Sequence, residues 1–133
     1  MSAATQALLD TSVVIALGLG EALELPGPAT QATVSVVTLC GLHRGVLAAG
    51  PERQAERLAV LSYAERTFEA LPIDFRVAPH YGRLADHASR SGRDVRRRLA
   101  DLLIAATAAA HGLLLITRDR ELGATPGLDT RVV

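Results

Sequence analysis

The sequence predicts an α/β fold: a short parallel β-sheet flanked by helices on both faces. Three observations predict it. Short, mostly apolar runs at residues 6–9, 33–36, 113–117 and 130–133 alternate with longer helical patterns. Between successive runs no two-residue hairpin signal occurs, which favours parallel over antiparallel pairing. Nearly half the residues are apolar but only two Tyr and two Phe are present, so the core must be Leu, Val, Ile and Ala packed between helices and sheet.

Taken in order, residues 6–9 form a strand that ends at Asp10, and the apolar stretch 13–17 after Thr11 and Ser12 begins a helix. Pro26, Gly27 and Pro28 break the chain, and the β-branched run 33–36 is the next strand, followed by a helix over 37–48. Gly50 and Pro51 close that helix and open another, to about residue 70, in which Glu52 complements the dipole and Ala55, Leu58, Leu61 and Tyr63 recur. A brief extended segment spans 71–74. An amphipathic helix over 77–91 carries Tyr81, Leu84, Ala85 and Ala88 on one side and ends at Gly92. The longest clear helix spans about 94–110, with Gly112 in the usual place after a helix end. The fourth strand leads to Asp119, and a Pro126-Gly127 turn precedes the last.

A chain of 133 residues suffices for a single core without disulfides, so residues 1–133 are expected to form one domain. Cys40, between apolar neighbours, is expected to be a packed thiol. No apolar run is long enough to span a bilayer and the N-terminus lacks a basic signal-peptide start, so no membrane association and a cytoplasmic location are expected. Formal net charge is zero, so phosphate binding must come from local patches. All fourteen basic residues are Arg, which excludes chemistry that needs a Lys, such as that of receiver-type signalling domains.

In open parallel sheets the functional crevice lies beyond the carboxyl ends of the strands, where Asp10 and Asp119 are expected to fall. Asp101 interrupts the apolar stretch Leu99-Ala100-Asp101-Leu102-Leu103-Ile104, and a carboxylate there is costly to desolvate without a cationic partner. A divalent metal shared by the three would satisfy them. Each also has an ordinary role open to it. Asp10 can cap the following helix, Asp119 can be a solvated loop charge, and Asp101 can pair with Arg97 or Arg98.

Four motifs in this order resemble the PIN-domain ribonucleases, and among them the VapC-type toxins of bacterial toxin-antitoxin pairs. They are Leu8-Leu9-Asp10-Thr11-Ser12, Ser35-Val36-Val37-Thr38-Leu39, Asp101-Leu102-Leu103-Ile104-Ala105-Ala106 and Ile116-Thr117-Arg118-Asp119. The resemblance implies Mg2+ or Mn2+ held by Asp10, Asp101 and Asp119, hydrolysis of RNA phosphodiesters, and neutralisation by a cognate VapB-like antitoxin that covers the site with a basic group. It also implies a homodimer within a larger toxin-antitoxin assembly. A fourth acid is implied three residues after Thr38, where this chain has Gly41. A glycine inside an apolar helical stretch costs about 1 kcal/mol relative to alanine, with no turn here to require it. Chance inactivation or deliberate disarming would each explain it, as would close backbone packing. His43, two positions on, faces another way and is expected at the surface.

Ser12 and Thr117 are candidates to orient the carboxylates, or are ordinary turn and cap residues. Arg93, Arg96, Arg97 and Arg98, just before Asp101, are candidates for substrate phosphates because a guanidinium donates in a planar fork; a solvated helix face paired with Asp94 is the alternative. The function expected is a metal-dependent endoribonuclease toxin impaired at Gly41. The competing expectation is a catalytically inactive module that only engages its antitoxin and oligomerises.

Overall fold

The computed structural model describes residues 5–25 and 31–133. The break expected at Pro26, Gly27 and Pro28 lies outside the described residues. The elements run β1 (Gln6–Leu9), α1 (Thr11–Gly18), β2 (Gln31–Ser35), α2 (Val36–Ala48), α3 (Pro51–Thr67), β3 (Glu69–Leu71), α4 (Val77–Arg90), α5 (Leu99–His111), β4 (Leu114–Thr117), α6 (Arg120–Gly123) and β5 (Thr130–Val132). The five strands form one sheet in the order β3-β2-β1-β4-β5, and every pairing is parallel.

Alternation along the central strands divides the core in two. Leu8 and its register partner Leu115 point to one face and pack with Val77, Leu84 and Ile104 from α4 and α5. Leu9 and its partner Ile116 point to the other and pack with Val13, Val34, Val60 and Leu61. The sheet is therefore covered on both faces, as expected, and the central strands β1 and β4 are apolar because they lie largely out of water on both faces, whereas the edge strands β3 and β5 are more exposed. From β1 the chain winds outwards through β2 and β3, then returns to β4 on the opposite side of β1. The crevice beyond the carboxyl ends of β1 and β4 is thus the point where the winding reverses, which is where such sheets place their sites.

Local chemistry sets the boundaries. Ser35 ends β2 and starts α2, its Oγ accepting the Val37 amide at 3.0 Å. Gly112 ends α5 in the left-handed region at φ 64°, which a glycine adopts without strain. Among the described residues no helix is long and apolar enough to cross a membrane.

Several expectations are corrected. The third helix stops at Thr67 rather than near residue 70, because Glu69–Leu71 hydrogen-bonds to β2 as an edge strand, earlier than the extended segment expected over 71–74. Its buried residues are Val60, Leu61 and Ala64; of the four singled out in the sequence Leu61 is buried but Leu58 is exposed, because apolar residues occur on more than one side of α3. Helix α5 begins at Leu99, not near residue 94: the Asp94 carboxylate accepts the Arg96 and Arg97 amides (3.0 and 3.4 Å) and caps a single turn, and Arg98, at φ −97° and ψ 7°, separates that turn from α5. Cys40 is exposed, since the buried stripe of α2 is Thr38, Leu42 and Val46. The short helix α6 carries no periodic signal and was not expected.

Leu8, fully buried on the central strand, and Leu47, 83% exposed on α2, test this arrangement as a pair. Leu8→Ala is expected to cost about 2–5 kcal/mol in urea unfolding, and Leu47→Ala less than about 0.5 kcal/mol. Equal losses would contradict it.

Candidate active site

Asp10 follows β1 directly. Its amide continues the strand pairing by donating to the Ile116 carbonyl at 2.9 Å, which fixes the residue against β4. One carboxylate oxygen, Oδ1, accepts the Thr11 amide at 2.9 Å and caps α1; the other, Oδ2, accepts the Thr117 hydroxyl at 2.7 Å. Asp10 is therefore both a helix cap and a buried carboxylate, only 4% exposed. Thr117, at the end of β4, also accepts the Asp119 amide at 3.0 Å, so a single hydroxyl joins the two strand-end aspartates.

Asp119 is not a free loop charge. Its Oδ1 accepts the Glu121 and Leu122 amides at 2.9 and 3.4 Å and caps α6, while Oδ2 meets Arg98 Nη2 at 2.8 Å. Asp101, on the first turn of α5, lines the same cleft as Asp10, Thr11, Ser12, Arg118 and Asp119. Of the pairings open to it, the one formed is with Arg98, and loosely, at 3.9 Å. Arg98 reaches Glu121 as well, at 3.5 Å, and Arg93 joins Glu121 at 3.3 Å.

The electrostatics follow from burial. Desolvation first, and then the charge of Asp119, hold the Asp10 carboxyl above the ordinary aspartate value of 3.8, against the opposing pull of Thr117, Thr11 and Arg98. Desolvation, followed by the charge of Asp10, likewise raises Asp101; Arg98 opposes and Asp119 adds. Burial is thus the main reason both carboxyls stand high, and Arg98 offsets it only in part. Among the described residues no three His, Cys, Asp or Glu side chains stand close enough to hold a metal ion as placed. The reason is visible: Asp119 is turned towards α6 and Arg98. The donor set still fits a hard divalent cation, since it is all oxygen and its like charges have too few partners. The Ser12 Oγ, buried without a hydrogen-bond partner, lines the same cleft.

The remaining candidates are spread more widely. Arg93, Arg97 and Arg98 line a second cleft that shares Asp101 with the first, whereas Arg96 lines neither. Ser12 makes no hydrogen bond to a carboxylate. Gly41 is not in the acid cleft; it borders a groove with Ile15, Leu42, Gly45, Arg57 and Val60. It nevertheless stands one helical turn from Thr38, whose hydroxyl lies 2.9 Å from that of Thr11, the residue next to Asp10. A Cβ added at Gly41 would meet nothing within 4 Å, which removes close packing as the reason for the glycine. His43 is at the surface beside Glu65. Sequence reasoning missed the Thr11–Thr38 contact, Glu121 and the Arg118–Glu21 ion pair. Thr38 and Arg118 lie within recognisable motifs, but their partners are distant in sequence.

Comparison with known proteins agrees with this fold. A family model described as PIN domain matches residues 7–128. The chain is 41% identical over 121 residues to Ribonuclease VapC5 of Mycobacterium tuberculosis, covering 90% of this chain and 87% of that protein. It is also similar to the crystal structure of VapBC-5, from a toxin-antitoxin family of the same organism, with TM-score 0.75 and 36% identity over 97% of this chain and 99% of that one. VapBC2 from Rickettsia felis, bound to a DNA fragment from its promoter, shares the fold at TM-score 0.79 with 20% identity, covering 96% and 98% of the two chains. The chain belongs to the PIN-domain family, on the VapC branch that these relatives define.

The raised carboxyls give a stability test. An acid that keeps its proton longer when folded contributes stability fully below about 3.8 and loses it as pH rises through the raised value. Asp101→Asn should therefore melt at the same or a higher temperature than the parent at neutral pH, with the difference closing below pH 3.8. The same variant should bind Mn2+ at least about tenfold more weakly by calorimetry. A clear loss of melting temperature at neutral pH would contradict the electrostatic account.

Proposed function

We propose that the chain is a divalent-metal-dependent endoribonuclease toxin held in check by a cognate VapB-like antitoxin, with catalysis weakened by glycine at position 41. The observation that carries the reading is the meeting of Asp10, Asp101 and Asp119 around one cleft at the carboxyl ends of β1 and β4. Its support from relatives is that similar chains are named VapC ribonucleases and occur in toxin-antitoxin structures. The resemblance read in the sequence also implies a homodimer within a larger toxin-antitoxin assembly.

Asp10 and Asp101 are the direct ligands in this reading, with Asp119 ligating directly or through water. Mg2+ or Mn2+ held by these carboxylates would supply Lewis acidity and lower the pKa of a water, which could then give up a proton and attack an RNA phosphodiester near neutral pH. The chain's own residues then do the positioning. Thr117 fixes the Asp10 carboxylate through a 2.7 Å bond and, through the Asp119 amide, the start of the α6 loop. The half-buried cleft reduces screening, so each charge acts more strongly than it would in water. Arg93 and Arg97, on the adjoining cleft, are placed to take flanking phosphates. Hydrolysis consumes one water and leaves two RNA ends, one carrying the phosphate.

A second reading is favoured by two specific observations: position 41 has no side chain, and Asp119 is already engaged by Arg98. In that reading the chain binds antitoxin but does not turn over.

Gly41→Glu separates the two. The added Cβ meets nothing within 4 Å, and helix propensity should raise stability by up to about 1 kcal/mol. Expressed without antitoxin, the variant is expected to inhibit growth and to cut total cellular RNA in Mg2+ but not in EDTA. Its rate should exceed the parent's by roughly one to several orders of magnitude, at about 1.4 kcal/mol per tenfold. A variant as harmless as the parent, cutting no RNA that the parent spares, would give the binding-only reading the lead.

A further inference from the structure

Arg98 is not placed as a free phosphate-binding arm. Asp94 ties down the Arg96 and Arg97 amides, so the chain turns and Arg98 enters α5 facing the acids. Its side chain is only 21% exposed and lies 2.8 Å from Asp119 Oδ2, 3.9 Å from Asp101 Oδ2 and 3.5 Å from Glu121 Oε2. Two of those three acids belong to the proposed metal site. The guanidinium and a divalent cation therefore draw on the same carboxylates, and Asp119 Oδ1 is already committed to the amides of α6.

Building on the proposed metal site, we infer that Arg98 is a positioning residue that acts as the resident counter-cation of the acid cluster. Its guanidinium holds Asp119 Oδ2 and must release it before that carboxylate can serve a divalent ion. Cation uptake is consequently an exchange of one positive partner for another. Arg98 keeps the empty cluster from repelling itself, and it weakens metal binding by the same contact. The neighbouring Arg93 does not take its place: it reaches Glu121 and none of the three aspartates of the cleft.

The test is Mn2+ titration by calorimetry, with melting temperatures recorded with and without Mn2+, on the full-length parent, Arg98→Gln and Arg66→Gln. Arg66 is bonded to the Ser62 carbonyl on α3 and serves as a control for net charge. Arg98→Gln is expected to bind Mn2+ about threefold to tenfold more tightly than the parent, as the loss of a competing charge-assisted pair implies. It should also melt lower than the parent in EDTA and close that gap in saturating Mn2+. Arg66→Gln should match the parent's affinity. A purely structural Arg98 would lower the melting temperature equally with and without metal and would not tighten binding; that result, or unchanged or weaker affinity in Arg98→Gln, overturns the inference. If the parent binds measurably and the variant binds no better, the exchange alone fails. If neither binds Mn2+ at millimolar concentration, the metal-site reading fails and the exchange falls with it.

Discussion

The desolvation of Asp10 is the constraint on which the rest of the site depends. The first residue after the central strand is a carboxylate taken almost wholly out of water, and its two oxygens are spoken for by the Thr11 amide and the Thr117 hydroxyl. These bonds make burial tolerable, and burial in turn makes every nearby charge count. Asp101 and Asp119 cannot be placed beside it without raising the cost further, so a cation has to be part of the arrangement. In the chain alone that cation is Arg98.

The fold supplies the geometry that brings these groups together. Parallel pairing of β1 with β4 in the register Leu9 to Ile116 puts Asp10 beside Thr117, and the reversal of winding at β1 leaves a crevice open above them. The α5 helix starts where it does because of the Asp94 turn, and that start sets both Asp101 and Arg98 at the crevice. The ordinary and functional roles of these acids are thus not alternatives. Asp10 and Asp119 each cap a helix with one oxygen, while the other accepts from Thr117 and from Arg98 respectively.

Much of this was legible in the sequence, for reasons that differ between residues. The strand-end aspartates could be found because apolar runs mark the strands and the carboxyl ends of parallel strands are where sites form. Asp101 stood out because a charge in an apolar helix needs a partner. Gly41 stood out as a glycine with no turn to make, and a Cβ there would meet nothing within 4 Å. The role of Arg98 was not legible, because a run of arginines looks alike until Asp94 bends the chain. The four residues of α6 carry no period, the exposure of Cys40 depends on which face of α2 meets the sheet, and the Thr11–Thr38 contact spans 27 residues. Each is decided by tertiary placement rather than by local pattern.

The central claim is that the acids of this cleft form a cation site which Arg98 serves when it is empty. Anomalous diffraction from crystals of the parent chain grown with and without Mn2+ tests it most directly. The account predicts one strong Mn2+ peak bound by Asp10 and Asp101, with the Arg98 guanidinium withdrawn from Asp119 in the loaded crystal and seated on it in the metal-free one. Mn2+ bound elsewhere on the chain, or bound at the cleft while Arg98 keeps its contact with Asp119 unchanged, would contradict it.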